Sequence, residues 1–163
     1  MKLTELNSIF SVAYGNKFDL NKMTQSTDFD EALSFVGRSG NRNGVTSFVS
    51  PIAQVKPFPA GYITTALGGA ILSSFVQPRP FYTAQNVAVL EPPEDMTLSE
   101  RLYYCSCIEA NLHRYGAFGR EANRTLRTLL VPERKAVPVW VKSTLGKVAK
   151  DWESEMKRVI AGA

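Results

Sequence analysis

The sequence predicts an α+β fold, in which a compact, mixed or mostly antiparallel and partly barrel-like sheet carries a packed helix and a C-terminal amphipathic helix. Three patterns indicate this architecture. Short apolar runs separated by Gly, Pro and Asn turns fill residues 32–90, as in sheets of short strands. A capping-box pattern opens a helical stretch at residue 97. Residues 141–159 carry an apolar stripe at helical spacing.

The first ninety residues are predicted to be mostly strands. Apolar residues at helical spacing favour a short helix at 3–10, while alternation favours a strand at 10–14. A polar loop is expected at 16–32. Turn residues then separate five predicted strands, which cover residues 34–36, 45–49, 61–66, 71–76 and 82–90.

The first long helix is predicted to begin after Thr97 and to run to about His113. In Thr97-Leu98-Ser99-Glu100, the threonine hydroxyl can accept from the third amide while the glutamate reaches back to the cap. The helical period predicts a buried stripe made of Leu98, Leu102, Cys105, Ile108 and Leu112. Residues 128–131 are expected to form a further strand.

A second amphipathic helix is predicted after Pro138, so we divide the chain into residues 1–137 and a C-terminal helix at 138–163. Three roles fit an apolar stripe on such a helix: packing on its own domain, dimerisation, or docking of a partner. The spacing does not separate these roles. The stripe consists of Val141, Leu145, Val148, Trp152, Met156 and Val159.

The distribution of charge is more informative than the net charge of +4. Residues 32–90 contain no Asp or Glu but keep Arg38, Arg42, Lys56 and Arg79. From residue 113 onward, 11 Lys or Arg stand against 5 Asp or Glu. Carboxylates repel a polyanion, so this pattern suits a surface that contacts phosphates. A buried sheet also lacks charges, although the basic residues that remain favour the first interpretation slightly.

The sequence gives little support for catalysis. His113 is the single histidine, and Cys105 and Cys107 have no base beside them. We find no clustered metal ligands and no phosphate-binding glycine loop, so we expect no metal, no cofactor and no enzymatic activity. The chain has no signal-peptide pattern and no membrane-spanning stretch. We therefore expect a cytoplasmic protein in which the cysteines stay reduced.

Five segments, in order, resemble a known family. They are Tyr14–Met23, Phe35–Val49, Gly61–Gly69, Gln77–Val87 and Phe118–Pro132, of which Gln77-Pro78-Arg79-Pro80-Phe81-Tyr82-Thr83-Ala84-Gln85-Asn86-Val87 is the most distinctive. Together they are similar to the target-recognition domains of type I restriction–modification specificity subunits and of related type IIB and IIG enzymes. Each segment alone is a weak signal. The resemblance covers roughly residues 5–140 and implies that residues 1–137 form a non-catalytic, sequence-specific module for double-stranded DNA.

The resemblance implies that three polar clusters contact DNA, since Arg can bind guanine edges, and Asn or Gln adenine edges. The third cluster suits phosphates best by its charge. Each cluster also has a structural alternative. Residues 40–44 can simply build a hairpin turn, Gln85 and Asn86 can be buried amides that satisfy the backbone of the sheet, and the arginines can be solvated. The clusters are Arg38, Asn41, Arg42 and Asn43; Gln77, Arg79, Tyr82, Thr83 and Gln85; and Arg114, Arg120, Asn123, Arg124 and Arg127.

The chain departs from the family in one respect, which leaves its partners open. A complete specificity subunit has two such domains joined by long helices, whereas one domain and one short helix are present here. The resemblance then implies a half-subunit that dimerises through the terminal helix, a separate subunit for a DNA methyltransferase chain, or a free-standing regulator. The alternative function is a protein-interaction factor that keeps the fold and binds a modification or defence enzyme without reading DNA.

Overall fold

A computed structural model describes residues 2–115 and 121–161, with side chains up to Arg158 in the last helix. Within these residues the chain forms nine strands, two α-helices and several short 3-10 segments, of which Ala110–Tyr115 continues directly from the first α-helix. In chain order the elements are β1 Leu3–Glu5, β2 Ser11–Tyr14, β3 Leu33–Val36, β4 Val45–Val49, β5 Ile63–Ala66, β6 Ser74–Val76, β7 Phe81–Thr83, β8 Val87–Glu91, α1 Leu98–Glu109, β9 Leu130–Pro132 and α2 Val139–Ala161.

The strands form three open sheets. Four antiparallel strands are ordered β2-β8-β5-β6, and three strands are ordered β4-β3-β7 with β3 and β7 parallel. The third sheet pairs β1 with β9. The α+β class and the mixed, mostly antiparallel pairing are confirmed. The barrel-like part of the prediction is wrong, because none of these three sheets in the described chain closes on itself.

One helix prediction and one strand prediction were wrong. The chain at Leu3–Glu5 is a strand, and a single 3-10 turn at Leu6–Ser8 replaces the rest of the predicted helix. The reason is non-local, because β9, far along the chain, supplies the backbone partners of β1. The long strand predicted at 82–90 is split into β7 and β8, with Asn86 in the left-handed region at φ 56°. The split places β7 and β8 in different sheets.

The main hydrophobic core lies between the four-stranded sheet and α1. Phe10 and Tyr104 meet edge to face there, with ring centroids 5.3 Å apart. The Tyr104 hydroxyl donates to the Pro132 carbonyl over 2.9 Å, which ties α1 to β9. Desolvation of this buried phenol raises the pKa of Tyr104. Val141, in the first turn of α2, is only 3% exposed and joins the same core.

The buried face of α1 differs from the predicted stripe. Cys105 and Ile108 are buried as expected, whereas Leu98, Leu102 and Leu112 are 43–51% exposed. The bulky Tyr104 takes the central core position instead, and the helix is rotated accordingly. Burial raises the pKa of the Cys105 thiol to about 12, so Cys105 is an inert core residue.

The N-terminus of α1 carries the predicted capping box and an added ion pair. The Thr97 hydroxyl accepts from the Glu100 amide over 3.3 Å, and Glu100 Oε2 accepts from the Thr97 amide over 3.0 Å. Arg134 lies 3.5 Å from Glu100 Oε1 and 2.8 Å from Asp95 Oδ1. Burial alone would raise the pKa of Glu100, but the hydrogen bonds from Thr97 and the charge of Arg134 outweigh it and lower that pKa. The carboxylate therefore stabilises the fold above the ordinary Glu pKa, and this contribution is lost as the pH falls.

Thr97→Ala removes the cap hydroxyl, which accepts a hydrogen bond from the Glu100 amide and donates one to the Glu100 carboxylate. We expect a loss of about 1 kcal/mol in the free energy of unfolding, as for other N-cap threonines. Urea denaturation at neutral pH measures it. Ser99→Ala, in the same turn but not at the cap, is the matched control. An equal loss in both variants would contradict the capping assignment.

Candidate nucleic-acid interface

Five loops meet at one end of the two larger sheets and form what we term the loop face. Backbone hydrogen bonds join them directly. The Leu67 amide donates to the Asn86 carbonyl over 2.9 Å, and the Leu67 carbonyl accepts from the Ala122 amide over 2.9 Å. The Ala70 amide donates to the Arg38 carbonyl over 3.1 Å. Loops that bond one another through their backbones hold their side chains in fixed relative positions. The loop face comprises residues 14–17, 37–44, 67–70, 83–87 and 121–127.

The first predicted cluster lies on a sharply folded hairpin loop. Arg42, Asn43 and Gly44 are consecutive left-handed residues, with φ of 50°, 55° and 75°. The Gly37 amide donates to the Gly44 carbonyl over 2.8 Å and closes the loop. The hairpin-turn interpretation is confirmed. The turn leaves four side chains exposed, and their contact with DNA stays a prediction; they are Arg38, Asn41, Arg42 and Asn43.

Gln77 does not face solvent, contrary to the prediction. It is fully buried, and its Nε2 donates to the Asn43 carbonyl over 2.8 Å and to Thr64 Oγ1 over 2.7 Å. A buried amide with these partners cannot reach a base edge. Gln77 instead holds the backbone of the 37–44 loop from the protein interior, through its bond to the Asn43 carbonyl.

Tyr82 and Thr83 are also wrong as DNA contacts, since both side chains are fully buried. The Tyr82 hydroxyl donates to the Val55 carbonyl over 2.7 Å and accepts from the Ile52 amide. Thr83 Oγ1 accepts from the Asn16 amide over 2.8 Å. β7 is an edge strand of the three-stranded sheet, but all three of its side chains are buried. Their polar atoms therefore bond to neighbouring loops and not to solvent.

Arg79 is half-buried and already engaged. Its guanidinium donates to the Phe29 carbonyl and lies 5.9 Å from the centre of the Phe48 ring. It lines an open groove together with Arg42 and Asn43. A second groove, beyond Thr46, is lined by Arg38 and by Gln85, which is exposed as predicted.

The third cluster surrounds another groove. Arg114, Asn123 and Arg124 line it, together with Tyr115 and Glu121. Arg114 and Arg124 are exposed, while Asn123 is half-buried and its Nδ2 lies 2.5 Å from Glu121 Oε2. Arg127 is exposed at its side and donates to the Val12 carbonyl over 2.9 Å. Arg120 lies outside the described residues.

Tyr14 and Lys17 also lie on the loop face, although they were not predicted as site residues from the sequence. Tyr14 is 48% exposed, and its hydroxyl donates to the Asn123 carbonyl over 2.5 Å. The Lys17 ammonium lies 5.5 Å from the centre of the Tyr14 ring. A tyrosine at the end of a strand, followed three residues later by a lysine, was the signal that could have identified them.

The apolar stripe of α2 leaves the core as the helix proceeds. Val141 is buried and Leu145 is half-buried, but Val148, Trp152 and Met156 are 44%, 68% and 53% exposed. The side chain of Val159 lies outside the described part of the helix. Trp140, which is 61% exposed, lines a mostly apolar groove between α1 and α2 with Leu102.

The described residues contain neither a metal-binding cluster nor a membrane-spanning helix. In 2–115 and 121–161, no three His, Cys, Asp or Glu side chains are grouped so that they could hold a metal ion. No helix in the same ranges combines the length and apolarity needed to cross a membrane.

Comparison with known proteins places this geometry among DNA specificity domains. The profile of the type I restriction modification DNA specificity domain matches residues 1–128. The type I restriction-modification S subunit from M. genitalium is similar with a TM-score of 0.63 at 13% identity, over 96% of this chain and 40% of that one. The HsdS subunit from Thermoanaerobacter tengcongensis gives 0.60 at 18% identity, over 97% and 42%.

A third structure, concerned with complex assembly and conformational transition of the type I R-M system, gives a TM-score of 0.62 at 16% identity, over 97% of this chain and 43% of that one. At such identities the likeness concerns the fold. The chain spans 40–43% of the length of these three structures. No curated protein matches it.

Gln77→Leu should make the backbone of the 37–44 loop more mobile, because Gln77 no longer holds it by a hydrogen bond. The substitution leaves the Asn43 carbonyl and Thr64 Oγ1 without their donor, which costs about 1–3 kcal/mol of unfolding free energy. In the Gln77→Leu variant, amide hydrogen exchange should accelerate relative to the wild type in residues 41–44, and more there than in β5. Gln85→Leu, an exposed glutamine on the same face, is the control and should leave exchange in 41–44 unchanged. Protection of 41–44 that survives Gln77→Leu would contradict this role.

Proposed function

This chain belongs to the family of type I restriction modification DNA specificity domains, and on that premise we propose that it binds double-stranded DNA, reads a short base sequence and catalyses no reaction itself. The observation that carries the proposal is the loop face. It presents exposed Arg, Lys, Asn and Gln side chains from separate loops whose backbones are hydrogen-bonded together. A rigid arrangement of such donors and acceptors suits reading of base edges.

We assign base reading to the side chains around the 37–44 loop. Arg38 and Gln85 share one groove, while Arg42 and Asn43 share another. Arg can bind guanine O6 and N7 together, and Asn or Gln can bind adenine N6 and N7. Asn41 is exposed on the same loop and belongs to this group.

We assign phosphate contacts to the basic residues at the other side of the loop face. Arg114, Arg124 and Arg127 are exposed, and Lys17 extends the group toward β2. Phosphate contacts position a protein on the duplex without reading sequence. Arg120, by its place in the sequence, would join them.

We further propose that residues 1–137 act as the target-recognition domain and that residues 138–163 join it to a partner. The partner is either a DNA methyltransferase subunit or a second copy of this chain. In the first case, the chain directs the methyltransferase to the DNA sequence that it reads. The support is the exposed stripe of Val148, Trp152 and Met156, since large apolar side chains in a row on a projecting helix are typical of interfaces. Two copies would present two loop faces and read a bipartite site.

A second candidate function is a protein-interaction factor that binds a modification or defence enzyme without reading DNA. The same exposed stripe favours it, because that surface needs no DNA. The two candidates differ in one measurement. The first requires duplex affinity with a base preference, while the second requires partner capture by a protein that has no such affinity.

Arg124→Ala should weaken binding to all duplexes about equally, and it should reduce the slope of log affinity against log salt by about 1. Arg38→Ala and Arg42→Ala should instead relax the preference at particular base pairs, at a cost of about 1–3 kcal/mol each. Fluorescence anisotropy with duplexes chosen by selection measures both effects. Lys147→Ala on α2 is the control and should change neither. Lack of any duplex affinity, with a methyltransferase subunit present as well, would overturn the proposed function.

Trp152→Glu combined with Met156→Glu should abolish assembly through α2, because two charges in an apolar interface must be desolvated. Sedimentation velocity, alone and with a methyltransferase subunit, should show a loss of the larger species. Lys150→Glu combined with Lys157→Glu introduces the same residue type off the stripe and is the control. An unchanged mass distribution in the stripe variant would contradict the assignment of α2 to assembly.

A further inference from the structure

A carboxylate lies in the groove whose other charged residues, among those the structure describes, are arginines. Glu121 is exposed and lines the same groove as Arg114 and Arg124. A carboxylate in this position repels phosphates, so it weakens non-specific binding to DNA.

Glu121 is held in place by two side-chain amides. Its Oε1 accepts from Asn86 Nδ2 over 3.2 Å, and its Oε2 lies 2.5 Å from Asn123 Nδ2. A free surface glutamate samples many rotamers. In Glu121 each carboxylate oxygen accepts from one amide, Asn86 of the 83–87 loop and Asn123 of its own loop.

Both amides are themselves fixed by the loop face. The Asn86 backbone has φ 56° and its carbonyl accepts from the Leu67 amide. The Asn123 carbonyl accepts from the Tyr14 hydroxyl. Gly68 closes the site from a third side, since a Cβ there would lie 3.3 Å from Glu121 Oε1. The carboxylate is therefore pre-positioned before any ligand binds.

An ionised carboxylate has about four acceptor positions and no donor. Two are used by the amides, and the exposure of Glu121 leaves the others accessible. In the major groove, cytosine N4 and adenine N6 offer amino donors, whereas guanine O6 and N7 and thymine O4 are acceptors that a carboxylate repels. Glutamate pairs best with cytosine N4, because adenine presents N7, an acceptor, beside its amino group.

From this arrangement we propose that Glu121 is a specificity-determining residue. At one position of the target it accepts a hydrogen bond from the exocyclic amino group of a base, with a preference for cytosine over adenine. The proposal rests on the proposed function, since it requires a duplex on the loop face. It adds an acceptor to a surface whose other proposed base contacts are arginines and amides. The recognised base pair then presents an exocyclic amino group to the Glu121 carboxylate.

The first experiment is selection from random duplexes with the wild-type protein and with Glu121→Gln. Gln keeps the shape but brings a donor, so the preference at one position should change while the others remain. Glu94→Gln is the matched control. It removes the same charge from the loop that leaves β8 at Glu91, at the opposite end of that strand from the loop face. A thermal unfolding curve checks that both variants are folded.

The second experiment removes the donor from the DNA. At the position that responds to Glu121→Gln, cytosine is replaced by 2-pyrimidinone, or adenine by purine, each of which lacks the amino group. Wild-type affinity should fall about tenfold, within the range for one base contact, and Glu121→Gln should lose little more on the same duplex. This arm uses the wild-type protein and remains informative if the variant folds poorly.

The outcomes separate this inference from the proposed function. If the wild-type protein selects no sequence, the proposed function fails and the inference with it. If it selects a sequence but Glu121→Gln changes affinity for all duplexes equally, Glu121 only repels phosphates and the inference alone is overturned. Equal wild-type affinity for duplexes with and without each exocyclic amino group of the target also overturns it.

Discussion

The structure depends on the backbone of Leu67, where three distant parts of the chain are joined. Its amide donates to Asn86 and its carbonyl accepts from Ala122, while its side chain is buried in the main core. The turn after β5 is thereby tied to the turn between β7 and β8 and to the segment after α1. Since the Arg38 carbonyl also accepts from the Ala70 amide of this turn, the loops at 37–44, 83–87 and 121–127 are positioned relative to one hydrophobic anchor. The loop face can therefore be rigid although it consists almost wholly of loops.

Polar residues near this face have two different tasks. Gln77, Tyr82 and Thr83 are buried, and each satisfies a backbone group of a neighbouring loop. Arg38, Arg42 and Gln85 are near them in the sequence or in space, but they are exposed. A buried polar group without a partner is costly, so the first set stabilises the loops while the second is available for DNA. The division explains how short loops can support exposed charged side chains in defined places.

Both helices are anchored at their N-terminal ends. The N-terminus of α1 is fixed by the capping box and by the pairing of Glu100 with Arg134, whose segment leads directly into α2. The start of α2 is anchored by Val141 in the core, and its later stripe is exposed. A helix that is anchored at one end and apolar along its exposed part can transmit the orientation of the loop face to whatever packs on it. The exposed part of the stripe is the surface on which the proposed assembly role of α2 rests.

Sequence patterns were enough to predict the α+β class, the capping box at Thr97, the second amphipathic helix, the family and the loop at 37–44. Each follows from local spacing, turn chemistry or an ordered set of motifs. Tertiary structure decided that Leu3–Glu5 is a strand, that Leu98, Leu102 and Leu112 are exposed, and that Gln77, Tyr82 and Thr83 face inward. It also brought Tyr14, Lys17 and Glu121 to the loop face. The physical reason is that burial and strand pairing depend on partners far along the chain, such as β9 for β1 and Asn123 for Tyr14, and local periodicity contains no information about them.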